Sequence, residues 1–480
     1  MKKEDLFEAM DGIDEKDIKE AGEYRARKRP VWVKWAAIAA CAVVCIVLVA
    51  TVYLAGSGGN MNGHEMAASV SVEAAYPSPV SENMSAQEFR EGKAHDEWWN
   101  EMQQVRQELE KIEGRLGGIY EYYEALMAKI HKSDESNTVC SPLNTYFAFA
   151  MLAEVSEGNT RQQILDMLGA PDIETLRENV HLLWQSNYAD TPILKSLLAN
   201  SIWLNDSMEF NMDTLRTLAE TYYASAFSGD PESKEMSEKL RSWMDANTGG
   251  MLSEYIENIE LDPRLVMAIV STIYYKAEWQ DHFNEENTDK AVFHGANGDT
   301  EVDMMHKTEP VQYCKGDKFT AIAFHLNDSG DMYFYLPNEG VSPADLFKDP
   351  ELLDVVRDPF SDKWSYPMAN ISVPKFSVSS ETDLLEILKE LGVTDALDPE
   401  KADFTPLTDS GEIFLGKAKH AAVVETDEVG VSGAAYTILE LCGAGMINET
   451  VDFVLDRPFA FVITGTDGSV LFSGTVNNIE

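Results

Sequence analysis

The histidines and cysteines, the residue types best suited to catalysis or metal binding, form no reactive set in this sequence. His64 and Glu65 begin the His-Glu-x-x-His pattern of a metalloprotease helix, but position 68 is Ala and the second zinc ligand is missing. No Gly-x-Ser-x-Gly elbow presents a nucleophilic serine, and no Gly-x-x-x-x-Gly-Lys loop cradles phosphates. Cys41 and Cys45 lie in an apolar run and serve as small hydrophobes. Cys140, Cys314 and Cys442 are too scattered for a disulfide framework or a zinc site. The expectation is a protein that is not an enzyme and uses neither cofactor nor metal.

Chemistry of another kind is suggested by ETDEVGVSGAAYT, residues 425–437. From Gly430 to Ala435 the chain has very little bulk, in a sequence otherwise full of branched, aromatic and charged side chains. A surface linker is the plain reading. Read as a strand, every second residue (Val431, Gly433, Ala435, Thr437, Leu439, Leu441, Gly443) is uncharged, and the one charge, Glu440, falls on the opposite face. Such a strand can bury one face in a core.

The elements around this run divide the chain. Residues 35–55, WAAIAACAVVCIVLVATVYLA, hold no charge and no proline and are long enough to span a bilayer as a helix. Arg25, Arg27, Lys28, Arg29 and Lys34 precede the run, which puts residues 1–34 in the cytoplasm and the rest outside. A cleaved signal peptide is the competing reading, against which stand the long leader and the poor cleavage site at its exit. Residues 56–116 read as an extracellular linker followed by a stalk helix, DEWWNEMQQVRQELEKIEG; Trp98 and Trp99 in it leave docking on the next domain open. The formal net charge of −44 makes nucleic acid a poor partner.

From residue 117 to the C-terminus, helical spacing in ILDMLG and LLEILKELG alternates with strand patterns in ANSIWLN, LVMAIVSTIYY and ANISVPKFSV. Helices come early and strands late, which predicts an α+β domain on a large sheet. Its motifs resemble those of the serpin family of protease inhibitors. NTVCSPLNTYFAFAMLAEVSEGNTRQQILDMLG, LANSIWLN, IVSTIYYKAEWQDHF, VDMMHK, ISVPKFSVSSETDLLEILKELGVTDAL, KHAAVVETDEVG and DRPFAFVITGTDGSVLFSGTVNN follow one another in the family's order.

The resemblance implies three β-sheets, about nine helices and an exposed reactive-centre loop near the C-terminus, which a target protease cuts and which then enters the largest sheet as an extra strand. It assigns the loop hinge to Glu428, Gly430, Val431, Gly433, Ala434, Ala435 and Thr437, with Gly430 supplying backbone freedom at the turning point. Val431 stands where inhibitory members usually have Thr or Ser, and Tyr436 where a small residue is usual. Shutter and breach positions fall on Ser141, Asn144, Ser271, Trp279, Phe283, His306 and His420. Asn144 and Ser271 exchange the family's Ser and Asn, so a polar cluster with Ser141 and His420 is expected with those two roles swapped. Trp279 and Phe283 are expected mainly to pack. His306 is the expected basic partner of Glu428, in a pair that weakens as the imidazole loses its proton.

Counting the family's usual loop length from Glu428 ends at Ala444, so the implied scissile bond is Ala444–Gly445. A small residue there suits elastase-like or subtilisin-like serine proteases, with a chymotrypsin-like or cysteine protease as the alternative. The implied function is suicide trapping by a monomeric, membrane-tethered ectodomain. The leader MKKEDLFEAMDGIDEKDIKEA resembles the amphipathic N-termini of bacterial single-pass proteins. A non-inhibitory, protease-sensing ectodomain, cleaved as a substrate, remains the other functional class.

Overall fold

The computed structural model describes residues 69–80, 84–112, 117–251, 253–257, 259–409, 413–431 and 450–479. The apolar run 35–55, the leader and the reactive bond Ala444–Gly445 lie outside the described residues, as do Gly433, Ala434, Ala435 and Thr437. Among the described residues no helix is long and apolar enough to cross a membrane. Residues 67–480 form one compact unit.

Its main sheet takes β1 (Ser69–Val72), β5 (Ala224–Gly229), β4 (Lys195–Asn205), β6 (Met267–Glu278) and β16 (Gly430–Val431) in that spatial order, with β3 (Ala189–Asp190) paired to β4. A second sheet runs β12 (Trp364–Ser365), β9 (Gln312–Lys315), β10 (Phe319–His325), β11 (Asp331–Pro337), β18 (Phe459–Thr464), β19 (Val470–Val476) and β2 (Thr138–Cys140). A third runs β17 (Thr450–Val454), β13 (Met368–Pro374), β8 (Gly298–Pro310) and β7 (Thr288–Gly295). The expectation of three sheets is exceeded by one. Among the described residues β14 (Phe376–Asp383) and β15 (Lys419–Thr426) form a sheet of their own, because β16 and not β15 is hydrogen-bonded to β6.

Helices precede and cover these sheets: α1 (Ala86–Arg90), α2 (Lys93–Ile112), α3 (Gly117–Ile130), α4 (Pro142–Glu154), α5 (Gly158–Leu168), α6 (Ile173–Asn187), α7 (Met212–Thr221) and α8 (Lys234–Asn247), then the short α9 to α12 at Ser253–Ile256, Pro343–Leu346, Glu351–Arg357 and Leu385–Glu390. More than nine are therefore seen, partly because one-turn pieces count and partly because α1 and α2 precede the expected start of the domain.

α4 explains how the sheets are held together. PLNTYFAFAMLAE is apolar around nearly its whole circumference, as a helix buried on all sides must be. Ser141 caps its N-terminus by accepting from the Asn144 N–H at 3.3 Å, and Pro142 needs no hydrogen-bond acceptor in the first turn. At its other end the buried carboxylate of Glu154 takes two bonds from Arg177 on α6, at 2.8 and 2.6 Å, and one from the Tyr222 hydroxyl at 2.8 Å. A buried charge with this many donors is compensated.

Strand alternation gives the main sheet two buried faces. Along β4, Leu198, Ile202 and Leu204 belong to the principal core, whereas Trp203 points the other way into a smaller cluster with Phe227, Met236 and Leu240 under α8. The sheet is thus sandwiched, and a strand added to it must be free of charge on its core side.

The described part of the segment expected as linker and stalk, residues 69–80 and 84–112, is part of this unit. β1 pairs antiparallel with β5, Ser69 opposite Ser228 and Val72 opposite Ala226. Phe89, Trp98, Leu109 and Ile112 are buried in the principal core. The physical reason is the apolar side: these four side chains supply a face that an isolated stalk helix would leave in water.

Candidate functional site

The hinge begins where β15 ends. Asp427 shapes the turn: its Oδ1 accepts the N–H groups of Val429 at 2.9 Å and Gly430 at 3.0 Å, and its own N–H donates to the Gly430 carbonyl at 3.0 Å. Asp is suited to this because its short carboxylate reaches the backbone two and three residues on. The turn delivers Gly430 and Val431 to β6, antiparallel, with Gly430 opposite Glu278 and Val431 opposite Ala277. Val431 is buried, so the β-branched residue that replaces the family's usual Thr or Ser fits the core side.

Gly430 has a different reason from the one its sequence suggests. Its φ is not in the left-handed region. A β-carbon at this position would stand 2.3 Å from the Ala277 carbonyl oxygen and 2.7 Å from the Glu278 α-carbon, so glycine is required by close backbone approach.

Residues 279–283 hold the turn from the other side. The Trp279 indole N–H donates to the Asp427 carbonyl at 2.9 Å, the Phe283 N–H to the Glu428 carbonyl at 2.9 Å, and the Trp279 N–H to the Val429 carbonyl at 2.9 Å. Three successive hinge carbonyls are therefore bound by one segment. Trp279 and Phe283 also pack as expected, with ring centroids 5.5 and 5.8 Å from that of Phe324. Over Phe283 and Phe324 lies the Lys307 ammonium, at 4.5 and 4.3 Å, paired with Glu309 at 2.6 Å. Burial pulls the Lys307 pKa down and pushes that of Glu309 up.

The expected pair of Glu428 with His306 is not formed. The Glu428 carboxylate accepts from Lys375 Nζ at 2.8 Å and from the Thr288 hydroxyl at 2.9 Å. Burial opposes its ionisation, but these bonds and one from its own N–H outweigh burial and hold the carboxyl below its usual range. For Lys375 too, burial acts against the charge and the Glu428 carboxylate prevails, raising the ammonium. His306 instead meets the Ser372 hydroxyl at 2.9 Å and Asp289 at 3.3 Å. The register explains the difference: His306 on β8 stands opposite Ser372 on β13, whereas Lys375 sits at the corner between β13 and β14, where β14 runs beside the end of β15. Lys375 was legible in the motif ISVPKFSV, one residue before Phe376, the register partner of Thr426.

The structure brings Ser141, Asn144, Ser271 and His420 together. The Ser141 N–H donates to His420 Nε2 at 2.9 Å, the Asn144 amide donates to the Ser271 carbonyl at 3.1 Å, and the Ser271 hydroxyl donates back to Asn144 Oδ1. An amide and a hydroxyl exchanged between α4 and β6 still satisfy each other. Full burial drives the His420 imidazole down to about 4, neutral as its acceptor role requires.

Among the described residues no group of three or more His, Cys, Asp or Glu side chains is arranged to hold a metal ion, and Cys140 and Cys314 are free and buried. What the arrangement offers is a β-edge on β6 with a turn clamped beside it, a place where a chain can be laid down strand by strand.

The comparisons agree with this geometry. The Serpin (serine protease inhibitor) family model matches residues 123–479. Serpin-ZX of Arabidopsis thaliana is 26% identical over 362 residues, covering 72% of this chain and 92% of its own. Antithrombin-III of Homo sapiens is 27% identical over 368 residues, covering 72% and 77%. Among solved structures, the thermophilic serpin tengpin in its native state superposes with a TM-score of 0.65 at 24% identity, covering 75% of this chain and 93% of that one. Thyroxine-binding globulin in complex with thyroxine does so with a TM-score of 0.65 at 22% identity, covering 76% and 98%. These similarities extend over nearly the whole folded unit, and the chain belongs to the serpin family.

Proposed function

We propose that this serpin is a membrane-tethered inhibitor that traps serine proteases outside the cell. The observation that carries the reading is the antiparallel pairing of Gly430 and Val431 with β6, with Val431 buried in the core and Gly430 at a position where only glycine fits. Sequence supports the rest. The uncharged alternation from Val431 to Gly443 continues that buried face, the bond Ala444–Gly445 follows it, and the apolar run 35–55 with its basic leader supplies a tether.

In this mechanism the protease serine attacks the Ala444 carbonyl, the Gly445 amine leaves, and an ester joins enzyme to inhibitor. Insertion of the loop as a new strand beside β6 carries the acyl-enzyme away before water attacks the ester. The driving force is an uncut fold held above its most stable state. The small side chain of Ala444 favours elastase-like or subtilisin-like enzymes, and the absence of Lys and Arg between Glu425 and Arg457 disfavours trypsin-like ones.

The test is to mix the protein with elastase-like, subtilisin-like and chymotrypsin-like proteases and examine the products by denaturing gel and intact mass. A denaturant-stable adduct with release of a peptide beginning at Gly445 is expected. Cleavage without adduct by every enzyme of the panel refutes trapping and points to the protease-sensing class.

A further inference from the structure

Residues 69–112 precede the segment that matches the family model, yet they touch the main sheet at three places. At its far edge β1 pairs with β5, and the Ala74 N–H donates to the Ser225 hydroxyl at 3.1 Å. In its middle, the Tyr76 hydroxyl donates to the Tyr223 carbonyl at 2.9 Å and accepts from the Asn200 N–H on β4 at 3.3 Å. At the end facing the hinge, Arg90, the last residue of α1, donates to the Glu278 carboxylate at 2.7 Å.

Glu278 is the residue of β6 directly opposite Gly430, and its side chain is only 4% exposed. A carboxylate so buried requires charge-assisted donors, and the His282 ring lies farther off, at 3.7 Å. The other end of the segment is fixed to the body of the domain. His95 meets Asp328, in the turn between β10 and β11, at 3.2 Å, Trp98 is buried, and α2 packs on α6. The strands β5, β4 and β6 are thus lashed to one another and to the helical layer by a single stretch of chain.

A contact shifts a conformational equilibrium only if it differs between the two states. The contacts seen here belong to the arrangement in which β6 is bordered by β16 and is not paired with β15. We propose that residues 69–112 are a strap that holds the main sheet in the arrangement that receives an added strand, with Arg90 as its clamp on Glu278. Arg90 is in this role a positioning residue, and the proposal rests on the loop-insertion reading above.

The test uses the full chain in detergent and a labelled peptide of residues 430–443, GVSGAAYTILELCG, with uptake followed by fluorescence anisotropy. Arg90→Met keeps the apolar stem but strands the Glu278 charge, so Arg90→Met/Glu278→Gln is measured beside it, together with the heat midpoint of each protein. The double variant is expected to keep a midpoint near that of the unaltered protein and to take up peptide about tenfold more slowly, the low end for a lost charge-assisted hydrogen bond. Uptake by the double variant at the unaltered rate, or faster, overturns the strap while leaving loop insertion intact. If the unaltered protein takes up no peptide and gains no heat stability when its loop is cut, insertion itself fails and the strap fails with it.

Discussion

The indole of Trp279 donates to the carbonyl of Asp427 at 2.9 Å, so a buried aromatic side chain beside the hinge is also one of its hydrogen-bond donors. Packing and clamping are separable. Trp279→Phe keeps most of the contact with Phe324 and Phe334 but removes the donor, and leaves the Asp427 carbonyl to find water or go unpaired. The expected cost is about 1–3 kcal/mol in stability, the price of an unmet buried acceptor, read as a lower chemical-denaturation midpoint. A midpoint equal to that of the unaltered protein would mean that the indole bond is dispensable.

Gly430→Ala tests the close approach. The new methyl cannot lie 2.3 Å from the Ala277 oxygen, so β16 must leave β6 or β6 must distort. Cut protein carrying Gly430→Ala is expected to lose most of the heat stability that loop insertion confers, whereas Val431→Thr, which restores the family's usual residue, keeps it. Full stabilisation of the alanine variant on cleavage contradicts the pairing described here.

The exchange of His306 for Lys375 as the partner of Glu428 changes the expected pH response. Glu428 has a folded-state pKa below its unfolded value, so its contribution is present above the unfolded value, near 4.3, and is lost as pH falls through the lower folded one. Nothing in this pair titrates between pH 6 and 8. The rate at which the uncut protein converts to an inactive form should be equal across that range for the unaltered protein and for His306→Gln. A rate that follows an imidazole titration in the first and not in the second would return His306 to the hinge.

His420 supplies an acid limb of its own. Its pKa is depressed in the folded state, to about 4, so below pH 6.5 the unfolded chain binds a proton that the native protein refuses. Stability should therefore fall as pH drops from 6.5 towards 4, by about 1.4 kcal/mol per pH unit for this one group. His131, also fully buried and depressed to about 3, acts in the same direction and extends the decline. His420→Gln offers a carbonyl acceptor for the Ser141 N–H without a titrating ring, and urea denaturation across the range should show a shallower acid limb for it. An unchanged limb would assign the loss to other groups.

The sequence discloses these residues unequally. The shutter cluster was legible because both partners of each contact sit in recognisable motifs, and an Asn and a Ser that have changed places still offer matching donors and acceptors. Of the low-bulk run only Gly430 and Val431 lie among the described residues, and they pair as the first two residues of a strand. The partner of Glu428 was misplaced because the resemblance assigned it to His306 on β8, while reach is decided by the corner at Lys375, a lysine visible in ISVPKFSV whose nearness to Glu428 follows from the β14–β15 register. The described residues 69–80 and 84–112 were less legible, because polar, small-residue composition around SVSVEAAYPSPV resembles a linker and Trp98 and Trp99 left docking open. The alternation in SVSV was a strand signal, but four residues cannot show which edge they will join.

That short strand has a consequence for how molecules of this protein meet one another. The outermost strand of a large sheet exposes unpaired backbone groups, and a long, flat one recruits strands from neighbouring molecules. Here the outermost described position beside β5 is taken by β1, with an irregularity in register between Val70 and Val72. An irregular margin gives an incoming chain a poor template. The two margins of the main sheet are therefore unlike: beyond β6 lies the clamped turn that delivers β16, and beyond β5 lies the irregular β1, a poor template for self-association.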